Sequence, residues 1–398
     1  MMYPPLNSYS YSVPYLLLLI ILVLLYFGSK SYRLRTAIPQ NRFILATFLI
    51  FILFWGFRGY ICTDWVNYYE FFHDNPPITD WNAWMRYTSE NFLDIGYIIY
   101  TGIFKIFCSN FLAFQSISYI LILLIIHRCI RLYTSDYILS FILMIVFFTV
   151  QSINLMRNVI AIALFLYSIR YIYSKNIWKY IAINAIGVLF HKTALIFIPL
   201  YFVLGHRFSI KTLILIFTCA YIVMICQFSI ISEYASSIIG DTSGRVNYVL
   251  QYLKESDPKL ISIGNLERLI TGIILILNYN KLWDKYRYGG YFANMMALCL
   301  LTYLVFFEIN VLVVRISQLF SFAYVIFYTN ILDIYEKRKY INLYRIAIFA
   351  YVGLWSISTF GQLMYRYDNI ILWSHQSYEE RMTSYNYYGP KKYVGHKD

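Results

Sequence analysis

The chain has 398 residues, of which 60% are hydrophobic, 20% aromatic and only 13% charged, with a mean hydropathy of +0.56 and a net charge of +13. Those proportions exclude a soluble globular domain, whose surface needs far more charge. The Lys and Arg excess is parcelled into short segments between apolar runs, where topology signals sit, so no nucleic-acid partner is expected.

The apolar runs are continuous and helix-length, without the period of two that marks an outer-membrane barrel. The expected class is therefore an all-α polytopic membrane protein. In chain order about twelve spans are predicted, at 12–28, 42–57, 111–127, 137–150, 158–173, 177–190, 193–204, 212–230, 265–280, 291–308, 315–332 and 345–363. Several fall short of the roughly 20 residues of a full crossing, so their ends should extend into flanking polar sequence. No Lys or Arg precedes the first run and Lys30 follows it, which predicts a retained helix with its N-terminus outside.

On that basis the connectors holding Lys30 to Arg42, Arg128 and Arg131, Lys175 and Lys179, Arg207 and Lys211, Lys281 to Arg287, and Lys337 to Arg345 all fall inside. Segment 94–108 would invert this parity if it crossed. It is short and holds Lys105, so it is read as a re-entrant or interfacial helix.

Segments 58–93 and 231–264 are then exterior loops. The first sets Asp64, Glu70, Asp74, Asp80 and Glu90 among Trp, Tyr and Phe. That composition suits sugar rings and hydroxyls, and equally an aromatic belt at headgroup level. Residues 1–364 are read as a single polytopic domain and 365–398 as a polar, Tyr-rich, loosely ordered tail. There is no phosphate-binding loop, dinucleotide fingerprint, H-E-x-x-H or paired-cysteine spacing, so no cofactor or metal is called for. Cys62 and Cys108 are both exterior, which leaves a disulfide open to them.

From residue 150 onward the four inward-running helices begin at Arg157, at His191 and Lys192, at Glu267 and Arg268, and at Arg315. A cation at a helix N-terminus opposes the macrodipole, and positive-inside bias also disfavours it there. Snorkelling or pairing with a carboxylate accounts for one such Arg. Four on one face point instead to an anion such as a diphosphate, bound by guanidinium groups beside helix-start N–H groups. Arg58 and Asp64 fall on that face too. His191 titrates near neutrality and could take a proton from, or orient, a sugar hydroxyl, although a lone helix-end His is commonly structural.

RGYICTDWVNY at 58–68, RNVIA at 157–161 and FHKTA at 190–194, in this order, resemble the EpsG/Wzy-type family of bacterial polysaccharide polymerases. Cys62 stands where the family usually has Gly, which bears on the turn before Asp64. The resemblance implies a multi-pass inner-membrane glycosyltransferase. It would join undecaprenyl-diphosphate-linked repeat units into O-antigen, capsular or exopolysaccharide at the periplasmic or external face. Its partners would be those lipid-linked glycans, membrane lipids and a chain-length regulator. Under that reading His191, Arg157 and Asp64 are the catalytic candidates. Arg157, Arg315 and Arg268 would meet the diphosphates, and Arg58, Asp64 and Tyr68 the acceptor sugar. A lipid-linked oligosaccharide flippase, a polysaccharide ligase and a membrane acyltransferase are the rival classes. A flippase should place its charges in a mid-membrane cavity.

Overall fold

The computed structural model describes residues 4–35, 41–91, 94–154, 156–226, 262–307, 310–337, 339–372 and 375–388. The described residues are helical, joined by turns and by two isolated antiparallel bridges, Asn7 with Gln362 and Arg58 with Asn369. Two compact units emerge where the sequence suggested one domain: Met1–Ile198 with Tyr335–Asp398, and Pro199–Ile334.

The first unit begins with α1 (Tyr9–Arg35), α2 (Asn41–Phe51) with a π turn at Ile52–Gly56, α3 (Trp65–Asp74), α4 (Trp81–Glu90), α5 (Ile95–Phe107) and α6 (Phe111–Tyr133). It continues with α7 (Tyr137–Met144), a second π turn at Ile145–Thr149, α8 (Val150–Asn154), α9 (Met156–Ser168), α10 (Arg170–Tyr173), α11 (Ile177–Phe190) and a 3-10 turn at Lys192–Phe197. The second unit holds α12 (Leu200–Gly205), α13 (Ile210–Cys226), α14 (Ile263–Lys285), α15 (Gly289–Val305), α16 (Asn310–Phe320) and α17 (Phe322–Ile334). The chain then returns to the first unit with α18 (Ile341–Phe360) and α19 (Tyr378–Tyr388).

Among the described residues, four stretches are long and apolar enough to cross a bilayer: Tyr9–Ser31, Phe111–Tyr133, Tyr137–Asn154 and Ile341–Phe360, with six shorter apolar helices beside them. The twelve-span expectation is thus met only in part. The run at 193–204 is divided into the 3-10 turn and α12, where Pro199 cannot continue the preceding ladder and restrains Ile198 before it. The run at 315–332 is divided at Ser321 between α16 and α17. Of the loop read as 231–264, residues 231–261 lie outside the described residues.

In the first unit α6 acts as a ruler. Its 23 residues span roughly 33 Å at about 1.5 Å each, close to the hydrocarbon thickness of a bilayer. The α7–α8 stretch runs antiparallel to it, from the His127–Tyr137 hydrogen bond to the Tyr119–Ser152 one, and α9 returns, with Tyr133 donating to Leu166 O. At the end where α6 finishes, Lys30 meets Asp136 at 3.0 Å and Glu336 at 3.2 Å, and Arg345 meets Glu336 at 3.2 Å. The basic connectors of the first unit thus gather at one end. The starts of α6 and α9 and the ends of α8, α11 and α18 gather at the other. Over its first four turns the exposed face of α6, Ile117, Leu121 and Leu124, recurs at helical spacing and is apolar, as a lipid-facing stripe must be. The same stripe then reaches exposed Arg128 and Arg131 at the basic end.

Segment 94–108 forms the 13-residue α5, which buries Gly96, Tyr97, Ile98, Thr101 and Gly102 and exposes Ile95, Ile99, Ile103, Ile106 and Phe107. At about 20 Å it is well short of α6 and of the hydrocarbon thickness. Lys105 donates to Phe72 O, His73 O and Asn75 O at 3.0, 3.0 and 2.7 Å, so this cation caps the carbonyl end of α3.

The tail is not loose over the described residues. Arg381 is fully buried and donates to Met364 O, Arg366 O and Gln376 Oε1, which pins α19 to the segment that follows α18. Cys62 and Cys108 are both free thiols, so no disulfide joins them.

Candidate functional site

Loop 57–64 is built around close backbone contacts. Gly59 N donates to Asp368 O at 2.9 Å, and a Cβ at Gly59 would fall 2.1 Å from Asp368 Oδ2, so the Arg-Gly step requires glycine for close approach. Cys62 takes φ 71°, a left-handed conformation costing a side-chain-bearing residue about 1–2 kcal/mol. The turn that a glycine would make there is therefore made without one. It is held by Cys62 N donating to Met364 O at 2.8 Å and by Trp65 Nε1 donating to Cys62 O at 3.1 Å.

Asn154, the last residue of α8, fixes the end of this loop. Its Oδ1 accepts from Asp64 N at 2.9 Å and from Thr63 N at 3.4 Å. That leaves the Asp64 carboxylate, at the N-cap of α3, making no side-chain cap bond. Three residues beyond Asn154, Arg157 lies on the first turn of α9. Its Nη1 stands 3.5 Å from the Asp94 carboxylate, its guanidinium 6.0 Å from the Tyr68 ring centroid, and its Nε is buried without a partner. Asp94 is the N-cap of α5 and is 8% exposed. Burial pushes the Tyr68 phenol above its usual value, and the Arg157 charge and hydrogen bond oppose that shift.

His191 joins this group through α11. A Cβ on Gly96 would lie 2.8 Å from Leu189 O, so α5 packs directly on the end of α11, one turn from Asp94. His191 ends α11 and opens the 3-10 turn, its Nδ1 accepting from Thr193 N at 3.3 Å and lying 2.8 Å from Thr193 Oγ1. Thr193 Oγ1 in turn reaches Asn158 Oδ1, beside Arg157, at 3.5 Å. A backbone N–H can only donate, so the Nδ1 of His191 carries the lone pair and the proton of the neutral ring sits on Nε2. The side chain is thus set up as a hydrogen-bond donor at Nε2.

Asp64, Tyr68, Arg157 and His191 therefore belong to one end of the first unit. Arg58 belongs to its wall. It is 1% exposed, donates to Trp55 O at 3.2 Å and lies 4.3 Å from the Tyr119 ring centroid. Burial lowers its guanidinium to about 10, and it presents no surface to a ligand in this structure.

Arg268 and Arg315 lie in the second unit, each the sixth residue of its helix, α14 and α16. At that depth the backbone N–H groups are used within the helix, so the helix-start argument does not apply to these two. Arg268 stacks on Tyr303 at 3.8 Å and donates to Asn265 Oδ1 at 2.9 Å, and Arg315 is exposed. Beside Arg268, Glu267 accepts from Thr271 at 2.7 Å and from Tyr324 at 3.4 Å.

Sequence reasoning missed Asp94, Asn154, Asn158, Thr193 and the Asp368–His375 pair. Asp94 had a readable signal, an acidic residue at the head of an apolar run where a helix N-cap belongs. Asn158 and Thr193 lie within the RNVIA and FHKTA motifs, whereas Asn154 and Asp368 bond to groups 90 and 308 residues away and give no local signal. No curated protein and no solved structure matches the chain. The model of the EpsG family matches residues 41–374, a stretch that contains all of Arg58, Asp64, Tyr68, Arg157, His191, Arg268 and Arg315, and the chain belongs to the EpsG family.

Proposed function

We propose that this EpsG-family membrane protein is a polymerase that joins undecaprenyl-diphosphate-linked oligosaccharide repeat units, at the external face of the bacterial inner membrane, into O-antigen, capsular or exopolysaccharide. The observation that carries the reading is Arg157. It is a half-buried guanidinium at a helix start, oriented by Asp94 and Tyr68 and with one N–H unspent. A planar fork so held matches the oxygens of a diphosphate, on which charge develops as the leaving group departs. Asp64, held at the start of α3 by the Asn154 bond to its N–H, accepts the proton of the attacking hydroxyl. His191 Nε2–H donates to a substrate oxygen. Tyr68 orders the wall between Asp64 and Arg157, and Arg58 supports the loop from behind. A chain-length regulator enters as a partner.

Arg157→Lys tests the proposal, because it keeps the charge and loses the fork. At matched protein level, polymer should fall roughly ten- to a hundredfold, the rate equivalent of about 1.5–3 kcal/mol for a charge-assisted contact. Single repeat units should still reach the outer face, giving a one-unit band with no ladder above it. Normal polymer would return Arg157 to a structural role. Accumulation confined to the cytoplasmic leaflet would point to a flippase instead.

A further inference from the structure

His375 stands apart from the Arg157 group, one position beyond the stretch that the family model matches. Its Nδ1 lies 3.1 Å from Asp368 Oδ1. The Asp368 carboxylate is fully buried and also accepts from Tyr60 N at 3.0 Å and Gln376 N at 3.1 Å. A carboxylate only accepts, so the Nδ1 of His375 carries the proton and Nε2 holds the lone pair. This is the opposite tautomer to His191. Nearly a third of the His375 side chain is exposed, although its other nitrogen is fixed by a group with no exposure at all. No hydrogen bond occupies Nε2 among the described residues.

Around it stands an aromatic wall. The Tyr60 ring lies 5.9 Å from His375, 4.7 Å from Trp65 and 6.1 Å from Tyr378. Tyr378 stacks on Tyr69 at 4.2 Å and meets Trp65 edge-on at 5.7 Å. The wall is rigid, because buried Arg381 locks α19 in place. Trp65 and Tyr69 share one face of α3, while Tyr68 looks toward Arg157. Fixed aromatic rings beside an oriented, partly exposed hydrogen-bond acceptor are what recognises a pyranose, through its apolar C–H face and one hydroxyl.

We propose that His375, oriented by Asp368, and the partly exposed rings of Tyr69 and Tyr378, backed by buried Tyr60, form a glycan-binding subsite, in which Nε2 accepts a hydrogen bond from a hydroxyl of the incoming repeat unit. The class of ligand rests on the polymerase reading. The place of His375 just past the family-matched stretch fits a contact that selects this chain's own sugar.

The test uses the full-length chain in detergent. The probe is the free repeat-unit oligosaccharide, released by mild acid from the lipid that accumulates in the producing strain when this chain is deleted. Binding is read from Trp fluorescence. His375→Asn is the chosen variant, because its amide N–H still donates to Asp368 and only the outward acceptor is lost. The wild type should bind, and His375→Asn should bind at least tenfold more weakly with an unchanged melting temperature. Arg157→Lys should bind the free sugar as the wild type does. Equal binding by His375→Asn, or none by the wild type, overturns the subsite. If binding depends on His375 while Arg157→Lys polymerises normally, the subsite stands and the polymerase mechanism falls.

Discussion

The two ends of the first unit use the same residue types to different effect. At the basic end two cations meet two carboxylates at 3.0–3.2 Å: Lys30 touches both Asp136 and Glu336, and Arg345 shares Glu336. Charge there is cancelled locally, and a cancelled cluster at the mouth of a bundle serves as an anchor. At the opposite end Arg157 has a single carboxylate at 3.5 Å, and the Asp64 carboxylate is left out of its own helix cap. A charge balanced by one long carboxylate contact keeps more capacity to meet a charged ligand than one clamped between close carboxylates.

The contrast breaks if both ends face the same side of the membrane, and that is the test with the largest effect. In a background without native Cys, a cysteine at exposed Asn82 should label from outside. One at exposed Lys339 should label only after permeabilisation. External labelling at 339 would reverse the orientation.

A paired substitution sharpens the comparison. Asp94→Asn removes the charge that orients Arg157 without touching a cap bond, since Asp94 makes no side-chain cap to α5. Polymer formation should fall roughly tenfold, the equivalent of about 1.4 kcal/mol in the barrier, with little change in melting temperature. Asp136→Asn should do the reverse. It keeps the cap to Leu139 N, leaves Lys30 with Glu336, and lowers stability by about 0.5–1 kcal/mol with activity intact. Equal losses of activity in both variants would erase the distinction between the ends.

How much of this was legible depends on the range of the interactions. The membrane class, the start of α6, both boundaries of α11 and the shortness of α5 come from local hydrophobic runs, and runs need no partner to be read. The grouping of Arg157 with His191 was reached through parity of crossings, and the first unit brings both to one end. Arg268 and Arg315 were given helix starts because polar residues seemed to interrupt the apolar runs there, whereas α14 and α16 begin earlier, at Ile263 and Asn310. The Asn154–Asp64 bond spans 90 residues and the Tyr60–Asp368 bond 308, separations at which a single sequence carries no signal. The tail looked loose because its composition is polar. Its order comes from Arg381 and Asp368, most of whose partners are backbone groups that composition cannot reveal.

The smallest effect concerns strain, and among the described residues each end holds one left-handed residue other than glycine: Cys62 at φ 71° and Lys175 at φ 51°. Lys175 is exposed in the turn after α10, so Lys175→Gly removes strain and little else. It should raise stability by up to about 1 kcal/mol and leave polymer yield unchanged. Cys62 is 1% exposed, and replacing it by Gly also discards a buried side chain, so the gain and the loss nearly cancel. The informative pair is therefore Cys62→Gly against Cys62→Ala. Both lose the thiol, but only alanine keeps the strained Cβ. Thermal unfolding should place the Gly variant above the Ala variant by about 1 kcal/mol, with activity close to wild type in both. An Ala variant as stable as Gly would mean that the turn before Asp64 relaxes out of the left-handed conformation. The Asn154–Asp64 bond would then no longer set the position of the carboxylate.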